Sequence, residues 1–313
     1  MSHLLAATGT LVKYLWSEEL TSLLEATEVG GRDDQDWVPR DEADLQNWAF
    51  LGRKVGSYDR TRRQALMYIE TGANTTPTQV SVRIQGFVER ATLSTLGNWQ
   101  GEWSSETHAP KAIQSIILGP GKHGLTAFTE QRKAIGLVRD FILSRLGSAT
   151  ASEGEPNSLK LQRRVFSRVR QGEEYVQLAR SEDPSGDAAK IRAHWAVSSR
   201  MEIGRRTEEG KIVRCPSYLI RPGDFVDAIV VFDIATYGTG KGTECQVHLA
   251  LEQLVRIQAR KEKGNEPMAS KERLIMKGFN FEDSVDDDDE GVDMEGESKG
   301  AGEQDIEVDM ASA

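Results

Sequence analysis

The residues most suggestive of chemistry lie in the stretch YGTGKGT, positions 237–243, directly after the apolar run AIVVFDI at 228–234. A strand, a glycine-rich turn and a lysine are the parts of a phosphate loop. Successive backbone amides and a helix N-terminus surround the phosphate, and the lysine supplies the counter-charge. Gly238, Gly240, Lys241 and Thr243 are the candidate nucleotide-binding residues. The full pattern is G-x-x-x-x-G-K-[ST]. Here Ala235 occupies the first glycine position, and Gly242 stands where a Ser or Thr hydroxyl would meet Mg²⁺. The following residues alternate: Cys245, Val247, Leu249 and Leu251 fall on one side, Gln246, His248 and Ala250 on the other. That period favours a strand, although Val247, Ala250, Leu251 and Leu254 also fit a helix. A hairpin whose glycines accept positive φ at the tip is the expectation.

The string GTGKGT resembles the phosphate loop of adenylate kinases over about six residues. It departs from that loop at the missing first glycine and at Tyr237, where proline is expected. A second candidate, an anion site, is Gly121, Lys122, His123 and Gly124 in GPGKHG, just ahead of a strongly periodic helical segment whose dipole would favour an anion. The alternative is a strand-to-helix turn.

The third candidate is a nucleic-acid-binding cluster, Arg163, Arg164, Phe166, Arg168 and Arg170. On a strand, Arg164, Phe166, Arg168 and Arg170 share one face, and interleaved arginine and aromatic side chains on an open sheet grip single strands by phosphate contact and stacking. Residues 158–214 hold thirteen Lys/Arg against eight Asp/Glu, well short of the balance of a dedicated binder. A solvated face with acidic neighbours is the competing reading.

No other constellation points to catalysis. The histidines, His3, His108, His123, His194 and His248, show no ligand spacing, so neither a metal nor any other cofactor is expected. No nucleophile elbow occurs. Cys215 and Cys245 are too few for a disulfide framework and fit a reducing compartment as buried hydrophobes. Trp99 and Trp103 sit together in a polar loop, as a ligand platform or as the cover of a core.

The net charge of −10 conceals an uneven chain. Residues 281–313 carry fourteen Asp/Glu and one Lys, a balance of −13, so residues 1–280 stand at +3. The acidic end reads as a disordered tail able to engage a basic protein partner or to shield a basic face. No run of eighteen apolar residues is present, so no membrane span is expected. The N-terminus lacks the charged and apolar blocks of a secretory signal, which points to an intracellular protein, nuclear or cytoplasmic.

These candidates must be carried by elements. Residues 2–28 show helical spacing in two pieces meeting near Ser17, and 41–55 read as a further short helix. Strand alternation marks 64–96 and 112–118. A helix over 125–146 carries Phe128, Ile135, Val138 and Ile142 on one stripe. After a small, polar linker at 147–158, short strands separated by turn signals are expected at 164–169, 175–179, 195–198, 212–214, 217–220, 225–234 and 245–251.

The segment 215–257 resembles one found in a multi-copy protein family of mushroom-forming fungi. Gly223, Asp224, Phe225, Val226 and Asp227 carry the match, followed by an apolar strand, a polar turn and a second strand ending in Val255, Arg256 and Ile257. The resemblance implies a hairpin and brings no catalytic residue.

The expectation is therefore an α+β chain: a mixed region at 1–150, an antiparallel β-rich region at 158–260, and a disordered tail at 261–313, acidic from 282. A non-enzymatic binding or scaffold protein is the first functional expectation. A nucleic-acid-associated protein using the basic sheet face is the second, and a nucleotide-binding enzyme centred on Lys241 the third.

Overall fold

The structure, a computed structural model, describes residues 1–25, 37–53, 64–69, 78–101, 105–148, 157–170, 172, 174–197, 199–239, 242–260 and 274–275. Alternating apolar sequence makes strand the most extensive regular element among these residues. In chain order the strands are β1 (Ala49–Arg53), β2 (Gln64–Tyr68), β3 (Ser81–Thr92), β4 (Ile113–Gly119), β5 (Leu159–Arg164), β6 (Phe166–Arg168), β7 (Trp195–Val197), β8 (Glu202–Arg206), β9 (Ile212–Arg214), β10 (Phe225–Thr239), β11 (Gly242–Gln258) and β12 (Leu274–Ile275). The helices are α1 (Glu18–Glu25), α2 (Glu42–Trp48), α3 (Ser105–His108), α4 (Leu125–Arg145) and α5 (Asp187–Lys190). None is long and apolar enough to cross a membrane.

Five strands close on one another. β3 pairs antiparallel with β4 and with β10, β4 with β5, and β10 with β11. β11 then lies parallel to β5, at Leu249 opposite Leu161. The ring β3-β4-β5-β11-β10 is a barrel. β2 continues beside β10 and carries β1, while β8 runs parallel to β11 and carries β9 and β12. A separate two-stranded sheet is made by β6 and β7. The chain is α+β, but the sheet is mixed, and strands of the first 150 residues interleave with later ones. One apolar core runs through both, from Leu4 and Trp16 to Leu254 and Ile257. β10 is buried at every position from Phe225 to Phe232, the pattern of a strand covered on both faces.

Unpaired strand edges are liabilities, and two polar groups manage the free edge of β3. The Gln131 side chain of α4 accepts from the Gln85 amide at 2.9 Å and donates to the Gln85 carbonyl at 2.8 Å. Ser2 pairs beside it, donating to Ser81 and accepting from Arg83.

The element Gly223–Asp227 is a structural clasp. Gly223, at φ 92°, donates to Val88, and Val88 donates back to the Asp224 carbonyl. The buried Asp224 carboxylate accepts from the amides of Arg221 and Arg260, both at 2.9 Å, tying the start of β10 to the end of β11. Asp227 pairs with Arg83 and accepts from Gln85 Nε2 at 3.0 Å, all three buried.

Several sequence expectations fail for local reasons. Residues 2–16 are extended or 3₁₀ rather than α-helical, because Gly9, at φ 86°, turns the chain and lets Leu5 pair back with Leu11. The helix expected over 41–55 stops at Trp48, where Ala49 enters β1 against β2. Residues 175–179 make no strand, and Ser217–Leu219 is a 3₁₀ turn behind Pro216. The strand expected at 164–169 breaks at Val165 into the end of β5 and the start of β6. β8 was not expected.

Candidate nucleic-acid interface

Strand alternation sets which side chains leave the barrel. On β4, Gln114, Ile116 and Leu118 are buried and Ile113, Ser115 and Ile117 are half-buried on the opposite face. Their neighbours on β5 are Arg164, Gln162 and Lys160, in that order. On β3, a register shift between Val88 and Arg90 brings Arg90 opposite Ile117 and Thr92 opposite Ser115. Three adjacent strands therefore present one outer face. Arg90, Lys160 and Arg164 are exposed on it, with Ile113 and Ile117 between them. Among the described residues none of these three cations has a carboxylate at ion-pair distance. Further along β3 the same side carries Phe87, opposite Gly119 and half-buried against Trp16 and Phe225, and the Glu89 carboxylate lies over Gly119, so the part around Ile113 and Ile117 offers charge and aliphatic surface rather than a stacking platform.

His248 on β11 borders this face. It is half-buried, opposite Asp233 on β10, and feels Arg139 of α4 together with Lys160 and Arg164 of β5. Burial pushes its pKa below the ordinary 6.5; Asp233 opposes this, and the three cations reinforce it. The folded state thus favours neutral imidazole. This contribution to stability is complete above pH 6.5 and is lost as pH falls through the folded pKa. We expect unfolding free energy measured between pH 7.5 and 5 to fall less steeply in His248→Gln than in the wild type. Equal slopes would remove His248 from the account.

The expected basic cluster is divided by the structure. Arg164 lies on the outer face. Arg163, on the opposite side of β5, donates to the Ser199 carbonyl at 3.0 Å and to its hydroxyl. Burial lowers its pKa, with Glu252 and Glu202 opposing. Phe166 is 4% exposed and packs edge-on against Trp99, with ring centroids 5.0 Å apart, so it presents no ring to a base. Arg168 is exposed on β6, beyond the bend. The Arg170 amide donates to the Tyr175 hydroxyl at 2.8 Å. Residues 164, 166, 168 and 170 share no face, because the bend at Val165 resets the alternation.

In the glycine-rich stretch, Gly238 pairs with Thr243 in a hairpin, and Gly240 and Lys241 lie outside the described residues. A strand follows where a phosphate loop requires a helix N-terminus. Gly121, Lys122, His123 and Gly124 form the turn into α4. The Gly124 amide donates to Pro120 at 3.1 Å, and a Cβ on Gly124 would fall 2.0 Å from the Trp16 ring. Trp99 covers a small second core with Val165 and Phe166; Trp103 lies outside the described residues. No group of three or more His, Cys, Asp or Glu could hold a metal among the described residues. Burial raises the Cys215 thiol pKa to about 11, so the thiol rather than the thiolate prevails at neutral pH.

Where β3 ends, β4 begins and β5 bends, a cleft of about 350 Å³ opens. Its charges are paired: Arg200 with Glu182 at 2.8 Å, and Arg214 with Glu202 at 3.9 Å.

Arg90, Lys160 and His248, which the structure places on or beside this face, were not among the residues expected from the sequence. The signal for Lys160 was present: the alternation Lys160, Gln162, Arg164 starts the strand five residues before the expected 164.

A five-stranded barrel with this strand order and one parallel contact has the architecture of an OB-fold, in which the face of strands two and three and the neighbouring loops are the usual ligand surface. Here those strands are β4 and β5. No family model matches the sequence, and no curated protein matches it. Among solved structures, the chain is similar to the single-stranded DNA-binding protein gp2.5 of bacteriophage T7, at 10% identity and TM-score 0.30, covering 61% of this chain and 99% of that one. It is also similar to the single-stranded DNA-binding protein of bacteriophage Enc34 in complex with ssDNA, at 14% identity and TM-score 0.27, covering 58% and 89%.

Proposed function

We propose that this protein binds single-stranded nucleic acid along the outer face of β3, β4 and β5. One observation supports the reading most: Arg90, Lys160 and Arg164 stand on three adjacent strands, exposed and unpaired among the described residues, around two half-buried isoleucines. Cations that stabilise the fold are normally matched to carboxylates, as Arg83 and Arg200 are here. An unmatched row on an open barrel face suits phosphates, and a curved, narrow face suits a flexible single strand better than a duplex. A nucleotide-binding enzyme loses its main support with the strand at Gly242, and no observation favours a particular protein partner.

The test is fluorescence anisotropy of a labelled oligothymidylate across a salt series. The logarithm of affinity should fall linearly with the logarithm of salt, and Arg164→Ala and Lys160→Ala should each weaken binding and reduce the slope by about 0.7. Both side chains are exposed, so stability should change by no more than about 0.5 kcal/mol. Absence of binding at low salt, with or without the acidic tail, would end this reading.

A further inference from the structure

The cleft at the barrel end has properties that the outer face lacks. Gln114, which lines it, lies between Ile113 and Ser115 of the face, and Val165, another lining residue, directly follows Arg164. Alternation turns Gln114 away from Ile113 and Ser115, so the cleft lies across the barrel rim from the face, at the end where Arg164 stands, and a strand leaving the face past Arg164 reaches it by turning over that rim. Because Arg200 and Arg214 are already matched to Glu182 and Glu202, the cleft suits an uncharged, hydrogen-bonding group rather than a phosphate. Its volume of about 350 Å³ lies at the lower end of small-molecule sites, about 300–1,000 Å³.

Beside it stands Tyr218. The preceding residue, Ser217, lines the cleft, and Tyr218 is 73% exposed, the most exposed large hydrophobic side chain among the described residues. Its backbone is held firmly. The Leu219 amide donates to Pro216 at 3.1 Å, the Ile220 amide to Ser217 at 3.1 Å, and Arg256 Nη1 to the Leu219 carbonyl at 2.8 Å, while Ile220 anchors the turn in the core. An aromatic ring on a rigid turn offers a face to a ligand at little entropic cost.

We infer that the cleft and Tyr218 form a base-binding site at the end of the strand's path: one unstacked base enters the cleft and its neighbour stacks on the Tyr218 ring. This inference rests on the nucleic-acid reading above. It separates two tasks, with the β3-β4-β5 face holding phosphates by charge and the cleft holding bases by stacking and hydrogen bonding, as single-strand binders combine them.

The experiment compares full-length wild type, Tyr218→Ala, Tyr218→Phe and Arg164→Ala by anisotropy, on oligothymidylate and on an oligomer of equal length made of abasic sites. Tyr218→Ala should bind oligothymidylate about 5- to 150-fold more weakly with an unchanged salt slope, Tyr218→Phe should bind within about twofold of wild type, and neither change should matter for the abasic oligomer. If Tyr218→Ala binds oligothymidylate as wild type does while Arg164→Ala is weakened, the base site is wrong and the face stands. Equal loss on both oligomers, or equal loss in Tyr218→Phe, also overturns stacking. If wild type binds neither oligomer, both the face and the base site fall.

Discussion

Asp227→Ala should destabilise the protein by about 3–5 kcal/mol, the usual effect of removing one partner from a buried ion pair. Asp227 is fully buried and Arg83 is 4% exposed. The two carboxylate oxygens are taken by the Arg83 guanidinium and by Gln85 Nε2. Alanine would leave a guanidinium inside the protein without this carboxylate and strip Gln85 of an acceptor. The damage falls at a junction, since β3 and β10 meet with Asp227 directly opposite Gln85. Chemical denaturation followed by circular dichroism gives the number, and a loss below about 1 kcal/mol would show that the pair contributes little. The double variant Arg83→Met, Asp227→Leu separates attraction from desolvation. Replacing a buried pair with apolar groups of similar volume is often neutral, so it should be more stable than Asp227→Ala alone.

Asp227 also illustrates how far the sequence could be read. Gly223 to Asp227 was legible as the start of a hairpin, and the alternation from Cys245 made 245–251 legible as a strand, which the structure extends to Gly242–Gln258. Long periodic elements such as α4 and β3 were equally clear, since each periodic face covers one side of a single core. What was hidden depends on partners distant in sequence. The apolar spacing of residues 2–16 serves an extended segment laid against β3, and nothing local distinguishes that from a helix until Gly9 is seen to turn the chain. Closure of the barrel rests on the parallel contact of Leu249 with Leu161, 88 positions apart, which leaves no trace in the pattern of either strand.

The candidate site was half legible for the same reason. A basic cluster around 163–170 was visible, and Arg164 proved to lie on the open face. The face itself is assembled across strands, from Arg90, Lys160 and Arg164, so its positive character is spread through the chain at a density too low to notice. The bend at Val165 carried Phe166 into a small core with Trp99, and no periodicity argument could anticipate it.

Removing residues 282–313 should tighten binding of single-stranded nucleic acid by about 100-fold at about 50 mM salt. Residues 281–313 carry a balance of −13 against +3 for residues 1–280, so the acidic segment is a polyanion able to compete with nucleic acid for the same cations. Covalent attachment gives the tail an effective concentration of the order of millimolar, against which a polyanionic ligand must compete. A tethered competitor with an intrinsic affinity of the order of 10 µM weakens the ligand by the quoted factor. The competition is electrostatic, so the advantage of the truncated chain should shrink as salt rises and the Debye length drops to a few ångströms. Neutralising the face must remove the effect as well: in Lys160→Ala, Arg164→Ala, truncation should gain far less than in wild type. Anisotropy titrations of the four proteins across salt decide it. Identical affinities for full-length and truncated chains at low salt would show that the tail does not compete for this face. A gain of equal size in the face variant would place the tail's counterpart elsewhere on the surface.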